Sequence, residues 1–234
     1  MQRSRSPLPR VIFPDPETAE PGSGLLAVGA DYRVAILREA YEHGIFPWPM
    51  AVGDLPIEAS PPLWFCPGRR AILFFENLHV PRSLARVQRK STLRFTIDQA
   101  FPQVISHCAL QPRPGQDGTW ITEKLKEAYI AFHRAGYAHS FEAWEGERLV
   151  AGLYGVDAGG AFAAESMFHL EPNASKLLVL EVIRTLQARG ATWMDIQVLT
   201  PHMKVFGASE VTRKRYLKLL QETQNLERKL FSSS

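Results

Sequence analysis

The amino-acid sequence predicts an α+β protein: a small N-terminal domain over residues 1–72, then a mixed, mostly antiparallel sheet flanked by helices over residues 73–234. Three observations carry that prediction. Residues 1–70 are rich in proline and hold one short periodic segment. Two hairpin patterns follow one another between residues 139 and 168. A long helical pattern and a mostly apolar strand, Thr192-Trp193-Met194-Asp195-Ile196-Gln197-Val198, come directly after them.

Taken in order, residues 31–43 read as a helix with Ile36, Leu37, Ala40 and Tyr41 on its apolar side, closed by Gly44. Ile45-Phe46-Pro47-Trp48-Pro49 is then a stiff loop with two large aromatics, and the two domains join near residues 69–75. Pro81 suits the first turn of a second helix. There Arg82, Arg86, Arg89 and Lys90 share one face, Leu84, Val87 and Ser91 point elsewhere, and Arg94 extends the patch. Such a stripe is either a solvated cationic face or a seat for phosphates, whose binding releases counterions without base contacts. Thr122 caps a third helix with an apolar stripe of Leu125, Ala128, Tyr129 and Phe132, ended by Gly136. Strands over 139–144, 149–156 and 161–168 turn at Glu145-Gly146-Glu147-Arg148 and Asp157-Ala158-Gly159-Gly160. Asn173 or Ser175 begins a helix to Arg189, closed by Gly190; the Asp195 strand follows, and residues 213–230 form a last amphipathic helix.

At 234 residues, 45% hydrophobic and 22% charged, the chain suits one large domain or two small ones with a proper core. No apolar run approaches the ~18 residues of a membrane span, and the arginines near Met1 lack the apolar stretch of a secretory signal. They read as a flexible basic tail. Cys66 and Cys108 form neither a metal-type spacing nor a disulfide framework, which suits a reducing cytoplasm. The seven histidines make no HExxH-type pair, so no metal and no other cofactor is expected. The net charge of +3 (27 − 24) argues little for nucleic acid; its distribution matters more.

Strand periodicity of two sets Asp195 and Gln197 on one face of their strand. A carboxylate and an amide in an apolar strand are either a hydrogen-bonded structural pair or a functional one, because unpaired burial is costly. Gly44-Ile45-Phe46-Pro47-Trp48, Gly118-Thr119-Trp120-Ile121, Ala138-His139-Ser140-Phe141-Glu142, Glu165-Ser166-Met167-Phe168, Asn173-Ala174-Ser175-Lys176 and Asp195-Ile196-Gln197 occur in that order. Together they closely resemble the leucyl/phenylalanyl-tRNA–protein transferases of bacteria, from about Phe13 to about Tyr216. The run of helix, three antiparallel strands, helix and strand is also that of the N-acetyltransferase-like (GNAT-like) fold. That fold seats the pyrophosphate of CoA on a glycine-rich turn. Here the turn is His169-Leu170-Glu171-Pro172-Asn173-Ala174, with no glycine, a proline that removes a donor and a glutamate that repels an anion. A CoA-dependent N-acyltransferase is therefore the weaker enzyme reading.

The resemblance implies transfer of leucine or phenylalanine, with methionine as a third candidate, from aminoacyl-tRNA to the N-terminal Arg or Lys of acceptor proteins. That transfer marks them for N-degron proteolysis. The donor ester is already activated, so the enzyme's task is to place a neutral amine on the ester carbon. Asp195 matches the acid of the family's Asp–Gln pair and is the expected proton acceptor, with Gln197 holding the amine or the oxyanion and Glu165 the acid of the donor site. Phe46, Trp48 and Trp120 match aromatics around the terminal adenosine of the tRNA. Leu153, Phe162, Met167, Val179, Val182, Leu186 and Met194 match the pocket for the transferred side chain. Arg82, Arg86, Arg89, Lys90 and Arg94 are the expected tRNA phosphate contacts. Val182 and Leu186 are aliphatic where relatives carry rings, Cys66 replaces a more usual serine, and Ala151 and Ala164 stand where glycine is common. A monomer is expected. The alternative from another class is a tRNA-binding module without catalysis, in which Asp195, Gln197 and Glu165 are structural.

Overall fold

The computed structural model describes residues 13–111 and 119–231. The basic tail and Gly118 of the second motif lie outside the described residues.

The N-terminal part holds a small antiparallel sheet of β1 (Leu25–Val28), β2 (Phe46–Pro47) and β3 (Leu63–Phe65), in the order β1-β3-β2. Between β1 and β2 lies α1 (Val34–Glu42), which buries Ile36, Leu37, Ala40 and Tyr41 as its periodicity demands. Gly44 ends it at φ +74°, and a Cβ there would sit 2.7 Å from the ring of Tyr216. Only glycine meets both conditions, so the chain turns sharply into β2 while lying against the far end of the sequence.

The large sheet has seven strands: β4 (Arg69–Phe74), β5 (Arg94–Ile97), β6 (Ala138–Glu145), β7 (Arg148–Asp157), β8 (Phe162–His169), β9 (Trp193–Gln197) and β10 (Ser209–Thr212). Their order is β10-β4-β9-β8-β7-β6-β5, antiparallel throughout except between β8 and β9. The helices are α2 (Arg82–Lys90), α3 (Phe101–Leu110), α4 (Glu123–Arg134), α5 (Ala174–Ala188), α6 (Pro201–Val205) and α7 (Arg213–Gln224). Strand β7 is apolar on both faces because both are covered, whereas β6 and β8 also carry polar groups such as Glu142 and Glu165. Leu153, Phe162 and Met194 belong to the core beneath α5, with Val179, Val182 and Leu186. Tyr154, Phe168 and Trp193 belong to the opposite core, with Phe101 and Val104 of α3 and Tyr129 and Phe132 of α4. That second core continues unbroken into Ile36, Phe46 and Trp64 of the N-terminal part. β4 straddles the expected boundary at 72/73 and lies wholly in the large sheet.

Two irregularities place the site. Pairing of β8 with β9 is confined to Phe162↔Met194 and Ala163↔Asp195, after which the two parallel strands part into a wedge. Each of them also carries a bulge. Tyr154 faces Ser166 and Gly155 faces Ala164, which leaves Glu165 as the extra residue of β8. Ala71 faces Gln197 and Ile72 faces Asp195, which leaves Ile196 extra in β9. Gly155 lets β8 come this close, since a Cβ there would lie 2.4 Å from the carbonyl oxygen of Ala163.

The three central strands, α1, α4 and α5 lie where the sequence reading expects them. Others differ. α3 and β5 fill a stretch that yielded no element by pattern, although Phe101, Val104, Ile105 and Cys108 make a buried face. α6 and β10 are likewise new, and α7 stops at Gln224 rather than 230. Pro81 precedes α2 as its N-cap instead of entering the first turn, and Asn173 caps α5 at φ +64° without a side-chain bond.

Candidate active site

Asp195 lies near the middle of β9 and is only 1% exposed. An ionised carboxylate this deep needs a counter-charge, and β4 supplies one. The Nε of Arg70 donates to Oδ1 at 2.9 Å and to Oδ2 at 3.1 Å, and its Nη2 donates to Oδ2 at 2.6 Å. The hydroxyl of Tyr216 on α7 donates to Oδ2 at 2.9 Å, and the backbone N–H of Gln197 donates to Oδ1 at 2.8 Å. Arg70 is itself held between two rings, its guanidinium carbon 4.5 Å from the centre of Phe46 and 4.6 Å from that of Tyr216. Burial pulls the guanidinium down, but Asp195 and Tyr216 outweigh it, and the balance lies above the ordinary arginine value.

Gln197 breaks the two-residue alternation that a regular strand would follow. It adopts φ +58°, a left-handed conformation uncommon outside glycine, asparagine and aspartate. The bulge turns its side chain toward the wedge, where Nε2 donates to Oε1 of Glu165 at 2.5 Å. Tyr129 of α4 donates to Oε2 of Glu165 at 3.3 Å, and Tyr129 and Tyr41 are hydrogen-bonded to each other. Glu165 as a residue is half-buried, yet its carboxyl group lies deep. Burial pushes that carboxyl up to about 7, and the charge of Asp195 adds to the rise. Hydrogen bonds from Tyr41 and Gln197 and the charge of Arg70 oppose it. Burial also keeps the phenols of Tyr41 and Tyr129 well above the ordinary tyrosine value, so both remain donors at neutral pH.

The three acidic and amide positions singled out from the sequence thus meet at one wedge. The aromatic set divides. Trp48 and Trp120 are half-buried neighbours with ring centres 6.1 Å apart. Phe46 is 1% exposed and covered by Arg70, so it supports that guanidinium and offers no face to an adenosine. Leu153 faces Met167 across β7 and β8, Phe162 faces Met194, and Val179, Val182 and Leu186 lie on α5. All seven are on the α5 side of the sheet, opposite the carboxylates, and only Met167 is partly exposed. Arg82, Arg86, Arg89, Lys90 and Arg94 are all exposed. α2 packs on α5, burying Leu84, and the guanidinium of Arg94 lies 5.3 Å from the ring centre of Trp144.

Sequence reasoning missed Arg70, Tyr216 and Tyr129 as site residues and took Tyr41 for plain core. Arg70 left a signal, an arginine opening the apolar run Ala71-Ile72-Leu73-Phe74. The tyrosines left none, because on a helix's apolar side a tyrosine reads like any other ring. Among the described residues no group of three or more His, Cys, Asp or Glu could hold a metal ion, and no helix is long and apolar enough to cross a membrane.

Residues 72–221 match the model of the family described as leucyl/phenylalanyl-tRNA protein transferase, and residues 30–68 match that of its N-terminal domain. The chain belongs to this family. It is similar to the leucyl/phenylalanyl-tRNA–protein transferase of Anaeromyxobacter dehalogenans strain 2CP-C, at 50% identity over 90% of this chain and 87% of the relative. The similarity to that of Nitratidesulfovibrio vulgaris strain DP4 is 46%, again over 90% and 87%. For that of Myxococcus xanthus strain DK1622 it is 45%, over 89% of this chain and 86% of the relative. The protein is an aminoacyltransferase; Glu165, Asp195 and Gln197 lie within the matched length, and Arg70 falls in the short gap between the two matched segments.

Proposed function

We propose that this transferase moves leucine or phenylalanine from aminoacyl-tRNA onto the N-terminal arginine or lysine of acceptor proteins, acting as a monomer in the cytoplasm and marking those proteins for N-degron proteolysis. The observation that carries the reading is the wedge between β8 and β9, where Gln197 and Glu165 are hydrogen-bonded across the gap. An ester and an amine meeting there would find a carboxylate, an amide and two phenols within a water-poor cleft. Aminolysis of an activated ester asks for this: positioning, a proton acceptor and hydrogen bonds to the developing charge.

The other parts take roles by location. Trp48 and Trp120 offer ring faces to the terminal adenosine, where stacking is worth about 1–3 kcal/mol per base. The side chain being transferred passes through the wedge toward Met167, Phe162 and Met194, with Leu153, Val179, Val182 and Leu186 behind them. The α2 stripe and Arg94 hold tRNA phosphates. Asp195 belongs to the catalytic group through Gln197, whose backbone N–H it fixes.

The test is direct. Purified protein, tRNA charged with labelled leucine and a peptide beginning with arginine are mixed without CoA. Labelled peptide is expected, and a matched peptide beginning with glutamate should stay unlabelled. Equal labelling of both peptides, or of neither, would refute the reading.

A further inference from the structure

Resting on that transferase reading, we propose that Glu165, and not Asp195, takes the proton from the incoming amine, while the Arg70–Asp195 pair is a fixed positioning element for Gln197. Asp195 is full. Its two oxygens accept from Nε and Nη2 of Arg70, from Tyr216 and from the N–H of Gln197. A carboxylate offers about four lone-pair sites, so none is left for an amine. Moving a proton onto Asp195 would also leave Arg70 buried with its counter-charge removed, which is costly. At 1% exposure Asp195 sits behind Gln197 at the base of the wedge, with its oxygens turned to Arg70 and Tyr216.

Glu165 differs in each respect. It is the extra residue of the β8 bulge, so its side chain is turned into the wedge and away from the ladder. Gln197, Tyr129 and Tyr41 approach its two oxygens with neutral donors, leaving lone-pair capacity for a fourth partner. Among the described residues no cation forms an ion pair with it. The charged and titratable groups around it are Tyr41 from α1, Tyr129 from α4, and Arg70 and Asp195 from β4 and β9. Burial is the largest influence and outweighs the bonds from Tyr41 and Gln197 and the charge of Arg70, so the carboxyl is poised near neutrality, where a general base works best.

Glu165 takes one proton from the ammonium, and the freed nitrogen pair forms the C–N bond while the carbonyl π pair moves to oxygen. That pair then returns, the C–O bond to the ribose breaks, and the departing oxygen takes the second proton from nitrogen. Glu165 gives its proton to water. One ester and one ammonium become one amide, one hydroxyl and one released proton. The Oε1 of Gln197 is left to accept from the amine during attack, because its Nε2 is committed to Glu165.

The experiment is single-turnover transfer of labelled leucine to an arginine-initiated peptide from pH 6 to 9. Wild type, Glu165→Gln, Glu165→Asp and Asp195→Asn are compared, with charged-tRNA binding measured in parallel. At pH 6.5 Glu165→Gln should be slower by about 10²–10⁴. That deficit should shrink by about 30-fold by pH 9, because the neutral fraction of a peptide α-amine of pKa about 8 rises by about that factor over the range. Glu165→Asp should recover part of the rate at pH 6.5, and the Asp195→Asn deficit should stay the same at every pH. A Glu165→Gln deficit that does not change with pH overturns the assignment, as does a deficit that narrows in Asp195→Asn alone. A folding defect would lower all pH points together and would not produce the narrowing. If wild type labels no peptide at any pH, the transferase reading has failed instead.

Discussion

Around Asp195, β4, β9 and α7 close on all sides: an arginine on one edge, a tyrosine above and a backbone N–H beneath. Around Glu165, on the adjacent strand, the donors are an amide and two phenols, and the strands are parting. Both residues are acids, each beside a bulge, and Ala163 two residues before Glu165 pairs with Asp195 itself. What separates them is the partner. A carboxylate neutralised by a buried guanidinium becomes architecture, whereas one solvated by neutral donors keeps an accessible proton equilibrium. In the proposed mechanism the same side-chain chemistry thus serves two ends on adjacent strands.

The comparison breaks most visibly if the ion pair is cut. Arg70→Met leaves Asp195 buried without its counter-charge and should cost about 3–5 kcal/mol in urea unfolding. Adding Asp195→Leu should restore most of that loss, since an apolar pair can replace a buried ion pair at little cost. A single substitution costing under about 1 kcal/mol would show that the pair is solvated.

The next largest effect belongs to Glu165 and has the opposite character. Its native carboxyl holds a proton up to about 7, while in the unfolded chain it ionises near 4.5. Between those values the unfolded state binds fewer protons, so this group's contribution to stability falls as pH rises. Glu165→Gln abolishes that slope. Its stability relative to wild type should therefore climb between pH 4.5 and 7 and level off above, by about 1–3 kcal/mol. Thermal unfolding across that range checks it; a difference that does not vary with pH would mean that Glu165 is well hydrated.

Smallest is the backbone of Gln197. Gln197→Gly relieves the left-handed conformation, worth about 1 kcal/mol, but loosens the unfolded chain by a similar amount. Stability should move by less than about 1 kcal/mol, while transfer falls because Glu165 loses its amide partner. Unchanged transfer would remove Gln197 from the site.

Much of this was legible beforehand, and the exceptions have physical causes. The hairpins, α5 and the acid–amide spacing announce themselves because period and turn chemistry are local. α3 was invisible because Pro102 and the mixed residues Gln103, Ser106 and His107 blur its apolar face. Arg70 was invisible as a partner because its meaning depends on Asp195, 125 positions away in the chain. The expectation that Asp195 and Gln197 share one face rested on strict alternation in β9, and a bulge at Ile196 cancels that rule. Phe46 looked like a binding platform because a pattern in a loop does not say what will lie on the ring. Except for α3, the missing information is a long-range pairing.

The sandwich of Arg70 between Phe46 and Tyr216 also bears on how divisible this enzyme is. Phe46 comes from the small sheet, Arg70 from the large one and Tyr216 from the last helix, so a single stack ties together three widely separated lengths of chain. A fragment beginning at Arg69 would keep every acid and amide named above, yet its guanidinium would face solvent where Phe46 now lies. Water there would weaken the hold on Asp195, slacken the β9 bulge and let Gln197 drift from Glu165. The small sheet and the large one are thus tied through this stack, with Phe46 of the first covering the guanidinium that holds Asp195 of the second.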